Sequence, residues 1–165
     1  MVVKHDSNTD IFRGQLFIFT GTGEEQKPIA YGKDATMNIS TEEVDVSNKM
    51  MSGGWKGSLP GQKSYTVTSE SLMTNKEGQE SFGSLLDKQI NDETFPFVMG
   101  EAKVSEKTPT GGKFELDKSK PYYTGTLMIT SLDVKSTNGD IATCSSSFAG
   151  IGALVKGESE QVQEP

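Results

Sequence analysis

Apolar and polar residues alternate over much of the chain, and this period of two predicts β-strands. The clearest stretch is 122–134, where the phase of the alternation changes at Thr130 and Ser131, as it does at a β-bulge. Asn138-Gly139 follows and predicts a hairpin, because both positions tolerate positive φ. Residues 140–154 are then predicted to return as an antiparallel strand.

Shorter strands are predicted earlier in the chain. The aromatic run at 15–19 and the segment 27–31 form a predicted hairpin, since glycines and acidic residues separate them. Further strands are predicted at 35–39, 64–72 and 95–100. Pro96 makes the last of these an edge strand or a strand start, because proline donates no ladder hydrogen bond.

One segment between these strands has helical spacing. Its apolar residues recur at i, i+3, i+4 and i+8, which predicts one amphipathic helix of about four turns that covers a sheet. Thr74 and Glu77 fit a capping box at its start. The predicted core face of this helix consists of Phe82, Leu85, Leu86 and Ile90.

The order of strands, one helix and strands predicts an α+β, mainly β fold: an antiparallel β-sandwich or barrel with one flanking α-helix. We expect a flexible N-terminus at 1–13, one domain at 14–156 and a disordered acidic tail at 157–165. Two glycine-broken, mostly polar stretches, at about 41–61 and 103–120, are predicted to be long loops, with a possible short strand at 113–116.

The first predicted loop is unusual because it contains large apolar side chains, which disordered loops rarely do. We interpret it as a contact loop. The alternative is that Trp55 packs back on its own sandwich. The candidate contact residues are Met50, Met51, Gly53, Gly54, Trp55 and Leu59.

Composition adds two constraints. Only 33% of the residues are apolar, which favours a chain that gains stability from neighbours, although a loop-rich monomer has the same composition. The formal net charge is -7 and no basic cluster is present, so tight nucleic-acid binding is not expected. An acidic protein can nevertheless border nucleic acid and repel it.

The residue inventory argues against catalysis. His5 is the one histidine and Cys144 the one cysteine, so neither a nucleophilic triad nor a zinc site is expected. The stretch 57–64 lacks phosphate-loop spacing. We predict no catalytic, cofactor or metal site. With no signal peptide or membrane span in the pattern, a soluble cytoplasmic protein is expected.

Short motifs in a fixed order are distributed along most of the chain: IAY at 29–31, MNIS at 37–40, VDVS at 44–47, GGW at 53–55, LPG at 59–61, YTG at 123–125, ITSL at 129–132, NGD at 138–140 and SFAG at 147–150. In this order the chain resembles the major tail proteins of long, non-contractile-tailed bacteriophages, from about residue 14 to 154.

The resemblance implies a virion tail protein, assembled in the bacterial cytoplasm, whose six-fold rings stack into a tube through which DNA passes. It implies a sandwich similar to the type VI secretion tube protein. Inner strands of neighbouring subunits would form a continuous barrel, and the early loop would reach the adjoining ring. Tape-measure and tail-terminator proteins would be its partners.

Three other interpretations remain at this point. A monomeric sandwich could bind carbohydrate or another ligand through Trp55, Tyr122 and Tyr123. A tube of a secretion system or a tail-derived bacteriocin would share the assembly mechanism. An enzyme that uses only carboxylates, such as Glu24-Glu25 or Glu42-Glu43, is the weakest alternative.

Overall fold

In a computed structural model of the chain, residues 4, 16–22, 26–29, 32–50, 53–74, 80–109 and 111–157 are described. The predicted flexible N-terminus and the predicted tail beyond Gly157 lie almost entirely outside them. The elements are β1 Leu16–Thr20, β2 Lys27–Pro28, β3 Gly32–Asp45, β4 Ser58–Leu72, α1 Phe82–Ile90, β5 Thr94–Thr108, β6 Gly111–Leu116, β7 Tyr122–Lys135 and β8 Thr143–Gly157.

Seven strands hydrogen-bond in the order β2-β1-β5-β7-β8-β4-β3, and β6 pairs with β5. Every pair is antiparallel. Strands across the sheet bury their alternate residues in one core, which includes Ile18, Val67, Phe97, Leu127 and Phe148. The sheet therefore curls around its core, and the predicted antiparallel β fold with one helix is confirmed.

The curled sheet does not close on itself. β1 approaches β3, but no ladder joins them within the described residues, and a groove of about 590 Å³ lies between them. On the other face of β1 and β5, a second small cluster forms around Phe19, Val98 and Leu116. Phe17 stacks on Phe114 with ring centroids 5.3 Å apart, which fixes β6 against β1.

Several local predictions match the structure. The bulge predicted at 130–131 is present, because the β7–β8 register shifts between Ile129 and Ser131. Pro96 lies near the start of β5, as expected, although β5 is paired on both sides. The hairpin predicted at Asn138-Gly139 also forms, with a connection of seven residues between β7 and β8. In this connection Gly139 has a positive φ and Asn138 does not.

Both predicted long loops are wrong in their extent. β3 continues to Asp45 and β4 begins at Ser58, so only 46–57 connects them. Residues 103–108 and 111–116 pair in the β5–β6 hairpin, and the strand suggested at 113–116 begins earlier, at Gly111. Backbone hydrogen bonding holds these segments in strands, even though few of their side chains are buried.

The helix is shorter than predicted. It begins at Phe82 after the cap residue Ser81, whose N–H donates to Ser84 Oγ at 2.9 Å. Thr74 is therefore not its cap, and Glu77 lies outside the described residues. Leu85 is buried, and Phe82 and Leu86 are partly buried. Ile90 was wrongly assigned to the core face: it is 68% exposed, because it is the last helical residue.

A buried ion pair fastens the start of the helix to the sheet. Glu80 is 3% exposed, and its carboxylate accepts hydrogen bonds from Lys88 Nζ at 2.7 Å and Ser84 Oγ at 2.8 Å. Lys88 Nζ also lies 5.5 Å from the centre of the Phe95 ring. Burial raises the pKa of Glu80, but hydrogen bonds from Lys88, Thr20 and Ser84 outweigh it and hold the pKa below its ordinary 4.5.

Replacing Glu80 by Gln is expected to lower the free energy of unfolding by about 2 kcal/mol at pH 7, because charged hydrogen bonds inside the fold are lost. The folded pKa lies below the unfolded one. The carboxylate thus stabilises the fold at neutral pH, and this contribution is lost as pH falls below about 4.5.

Urea unfolding of wild type and Glu80→Gln between pH 7 and pH 3 measures this effect. The difference in the free energy of unfolding between the two proteins should become smaller as the pH falls. Glu115→Gln is the control, because its contact with Lys113 is 4.0 Å long and exposed, and such pairs contribute little. A gap that stays constant over the whole pH range would contradict the assignment.

Candidate assembly surfaces

The β3–β4 hairpin extends beyond the rest of the sheet. β4 pairs with β8 only from Thr66 onward, whereas its earlier residues pair with β3 alone. Residues 39–64 thus form a two-stranded arm, which we call the β3–β4 arm, with residues 46–57 as its tip. A two-stranded ribbon has no sheet behind it to bury its side chains, so both of its faces are available for contacts.

Hydrogen bonds within the tip define its shape. Val46 N–H donates to the Gly57 carbonyl at 3.0 Å, and Gly57 N–H donates to Ser47 Oγ at 3.0 Å. Met50 N–H donates to Asn48 Oδ1 at 2.8 Å. Gly53 has a φ of +72°, which a residue with a side chain rarely adopts. The described parts of the tip, 46–50 and 53–57, are therefore held by hydrogen bonds of their own.

Charged groups brace the arm just below the tip. The Glu43 carboxylate accepts from Lys56 Nζ at 2.8 Å and from Ser58 Oγ at 2.5 Å, and these hydrogen bonds lower the pKa of Glu43. The backbone N–H of Ser47 donates to Asp45 Oδ1 at 2.8 Å and lowers the pKa of that carboxyl. Both carboxylates therefore accept hydrogen bonds from residues of the arm itself.

The large apolar side chains of the arm point to solvent. Met50 is 93% exposed and Trp55 is 84% exposed, so Trp55 does not pack back on its own sandwich. Gly53 and Gly54 are exposed beside them, and Met51 lies outside the described residues. Leu59 is not in a loop: it lies in β4 opposite Val44, and both are exposed.

Sequence reasoning missed part of this surface. Ile39, Val44 and Val46 are also exposed on the arm and extend the apolar surface toward the sheet. The alternation of Val44 and Val46 with polar residues is the signal that could have revealed them. Such an exposed set of apolar residues on a projecting ribbon is typical of a protein–protein contact.

A second surface is the outer edge of β3. No strand in the described part of the chain pairs with that edge along its 14 residues. Its register with β4 is regular from Asp34 to Thr41, and residues 35–41 carry no charge and no proline. Monomeric proteins usually protect such an edge with charges, prolines or bulges. This edge can accept another strand.

The β5–β6 hairpin forms a third surface and a second projection. Its base is fixed by Lys120 Nζ, 2.8 Å from Glu101 Oε2, and by the buried Leu116. Ser119 Oγ donates to Asp117 Oδ1 at 2.6 Å, which lowers the pKa of Asp117 and closes the turn into β7. The predicted ligand platform is not assembled: within the described residues no ring contacts Trp55, and Tyr122 packs in the second cluster.

A family model described as phage tail tube protein matches residues 16–156. The chain belongs to this family. A tail tube protein is a structural component of the virion tail, and the resemblance found in the sequence is confirmed.

No curated protein matches the sequence. Within the described residues, no helix is long and apolar enough to cross a membrane, and no three acidic, histidine or cysteine side chains are grouped to hold a metal ion.

Solved structures share the tail tube fold. The tail of an empty gene transfer agent particle with C6 symmetry has a TM-score of 0.66 at 20% identity, covering 85% of this chain and 93% of that one. The SPP1 tail tube has a TM-score of 0.61 at 11% identity, covering 90% of this chain and 79% of that one. A sheath/tube terminator of an extracellular contractile injection system has a TM-score of 0.59 at 15% identity, covering 94% of this chain and 99% of that one.

Proposed function

We propose that this tail tube protein assembles into six-fold rings that stack into a tube, and that DNA passes through the channel. The observation that carries the proposal is the edge of β3, which is unpaired within the described residues and uncharged over 35–41, beside a projecting apolar arm. One surface suits pairing within a ring and the other suits contact between rings. The C6 symmetry of the similar gene transfer agent tail supports the ring number.

Strand directions are compatible with ring closure. Across β3, β4, β8 and β7 the direction alternates, because each pair is antiparallel. A further β3 placed beyond β7 would continue this alternation. β7 pairs with β5 only up to Met128, so no strand in the described part of the chain pairs with residues 129–135 on that side. An even number of strands per subunit thus allows an antiparallel barrel of any number of copies.

The dimensions also fit a channel. Six copies of four strands give 24 strands, and at about 4.8 Å per strand the circumference is at least about 115 Å, or about 37 Å in diameter. Strand tilt widens such a barrel further. An opening of this size leaves space for one DNA duplex with water around it. The acidic net charge of -7 disfavours adhesion of phosphates to the tube.

The arm supplies the proposed contact between rings. Trp and Met are favourable anchors at interfaces, since Trp buries a large rigid surface and Met adapts its shape. Met50, Trp55 and Leu59 are exposed in one subunit and would be covered by the adjoining ring. At the ends of the tube, tape-measure and tail-terminator proteins are the proposed partners. A terminator with a similar fold supports stacking of unlike rings.

Self-assembly is tested by concentrating the purified protein and recording its mass in solution and its negative-stain images. We expect rings and tubes whose end views show six subunits. A monomeric ligand-binding module would instead stay near 17.8 kDa at every concentration. A persistent monomer that pairs with no other copy would contradict the proposal.

A tube in a contractile injection system is the second candidate, favoured by the similarity to the sheath/tube terminator. Such a tube would share the ring and arm contacts but would slide inside a sheath. Genes for a sheath beside the gene for this chain would support that candidate. Their absence there would favour a non-contractile tail.

A further inference from the structure

Two strand edges of the subunit have no partner strand among the described residues. One is the outer edge of β3, and the other is the part of β7 at 129–135. The ladders connect Lys135 at the end of β7, through Thr143 and Leu72, to the start of β3. The start of β3 and the end of β7 therefore lie at the same end of the sheet, on its two opposite sides.

The directions of the side chains restrict how these two edges can pair between copies. Directly opposite residues of an antiparallel pair have their side chains on the same face. Ala35 and Met37 of β3 and Leu132 of β7 pack against the core. Val134 lies opposite the buried Cys144 and points to the same side. A second copy that continues the sheet must place these core-side residues of β3 opposite those of β7.

Three registers meet this condition and keep most of 129–135 beside β3. They differ in the residue opposite Asp34, which is exposed and points away from the core because it alternates with the core-side positions. The first register places Asp133 there and sets two like charges against each other. The second places Lys135 there and pairs opposite charges. The third places Thr137 there, which lies beyond the end of β7.

Electrostatics favour the second register. Opposite charges directly across two strands attract, whereas like charges there are destabilising. Asp34 and Lys135 are both exposed, and neither forms an ion pair within the part of the chain that the structure describes. Each is thus available to a group of opposite charge on a neighbouring copy.

The core side of the second register brings apolar residues together. It places Val134 opposite Ala35 and Leu132 opposite Met37. Val134 is 47% exposed in a single subunit, and a neighbouring β3 would cover part of it. The same register therefore forms an apolar contact on one face and a charge pair on the other.

We propose that residues 129–135 of one copy pair with the β3 edge of the next copy in this register, and that an ion pair between Lys135 and Asp34 fixes it. The proposal rests on the proposed ring and names the residues that align its subunits. A slip by two residues would keep every side chain on its face, so the apolar pattern alone does not fix the register. The charge pair supplies that specificity.

The two charges belong to different copies in this contact. Within one subunit, Asp34 and Lys135 lie on strands three spacings apart, at about 4.8 Å per spacing, or about 14 Å. They are therefore too far apart to pair with each other there. Since each copy has one of these groups at each edge, the contact is head-to-tail and can repeat around a closed ring.

Zero-length cross-linking with a carbodiimide tests which strands meet. The reagent would join Lys135 Nζ to the Asp34 carboxylate as an amide, and the carbodiimide takes up the water that is lost. Peptide mass spectrometry should find this link in assembled wild type and not in the unassembled subunit. Its absence from assembled protein would overturn the proposed pairing of β7 with β3.

Charge reversal tests the register. Asp34→Lys sets two cations against each other and Lys135→Asp sets two anions, so either change should raise the subunit concentration needed for assembly about fivefold. The double variant Asp34→Lys/Lys135→Asp should assemble like wild type. In about 1 M salt, where the Debye length is about 3 Å, the single variants should approach wild type. Asp87→Lys, at an exposed helix position, controls for net charge and should assemble normally.

Thermal unfolding before assembly checks that each variant is folded. Asp34→Lys should not destabilise the subunit, because Glu70 lies directly opposite and would face a cation in place of an anion. Assembly of Asp34→Lys at a lower concentration than wild type would overturn the proposal in favour of the register with Asp133. Single reversals without effect would overturn it in favour of the register with Thr137.

Two further outcomes complete the test. A double variant as defective as the single variants would overturn the direct pair between positions 34 and 135, while the tube proposal would stand. Failure of wild type to form rings at any concentration would instead overturn the tube proposal itself.

Discussion

Gly150→Ala is expected to destabilise the subunit by about 3 kcal/mol, at the upper end of the cost of overpacking a core. The reason is the Tyr65 ring, which lies directly against Gly150 and would meet an added Cβ atom. The ring cannot easily turn away. Its hydroxyl donates to the Thr126 carbonyl at 2.9 Å, and Gly125 and Phe97 are in contact with the same side chain.

Urea unfolding of the unassembled subunit measures this cost. Gly54→Ala is the control, because no atom lies within 4 Å of the Cβ it would add, and its effect should stay within about 0.5 kcal/mol. In a Tyr65→Ala background the Gly150→Ala change should cost little, because the clash is gone. An equal cost in both backgrounds would show that the Tyr65 contact is not the cause.

The sequence predicts the core of the fold because burial leaves a periodic pattern. In β7, Leu127 and Ile129 alternate with exposed residues, and the change of phase at the bulge is visible before the structure is known. The helix is recognised by Leu85 and its neighbours for the same reason. These predictions depend only on which side of an element faces the core.

The β3–β4 arm and the β5–β6 hairpin could not be predicted in full, because few of their side chains are buried. In the arm, β3 and β4 residues on both faces are exposed, so no burial imposes a regular alternation of apolar and polar positions, and only the short alternation around Val44 and Val46 is present. Gly61 and Pro60 even argue against a strand, yet cross-strand pairing continues there through a change of register. Strand pairing alone sets the length of the arm, and pairing has no local sequence signature.

The candidate contact surface was predicted from residue type and not from structure. A run with Met50 and Trp55 suggested a contact loop, and the structure places both side chains in solvent at the tip. A contact with another subunit requires side chains that are exposed in this way. The position of the tip beyond the sheet follows from the β3–β4 register, which the residue types do not reveal. The packing of Tyr65 against Gly150 is equally invisible in sequence, because 85 positions separate the two residues.

Trp55→Ala is expected to abolish tube formation under conditions where wild type assembles, while the subunit stays folded. Trp55 is 84% exposed and contacts no core residue, so the free energy of unfolding should change by less than about 0.5 kcal/mol. A buried Trp anchor at an interface typically contributes about 2 kcal/mol or more. With the proposed six arms per ring, the loss per ring addition would be about 12 kcal/mol if the contacts are independent.

Thermal unfolding tests the fold of the variant, and sedimentation with negative-stain imaging tests its assembly. Ile90→Ala is the matched control, because it also removes an exposed apolar side chain, but from the helix and not from the arm. Ile90→Ala should form tubes like wild type, and Trp55→Phe should retain part of the assembly because an aromatic ring remains. A normal yield of tubes from Trp55→Ala would contradict a contact through the arm. An equal loss of tubes in Ile90→Ala would contradict it as well. Rings that form but do not stack would place the contact of Trp55 between rings and leave pairing at the β3 edge as the contact within a ring.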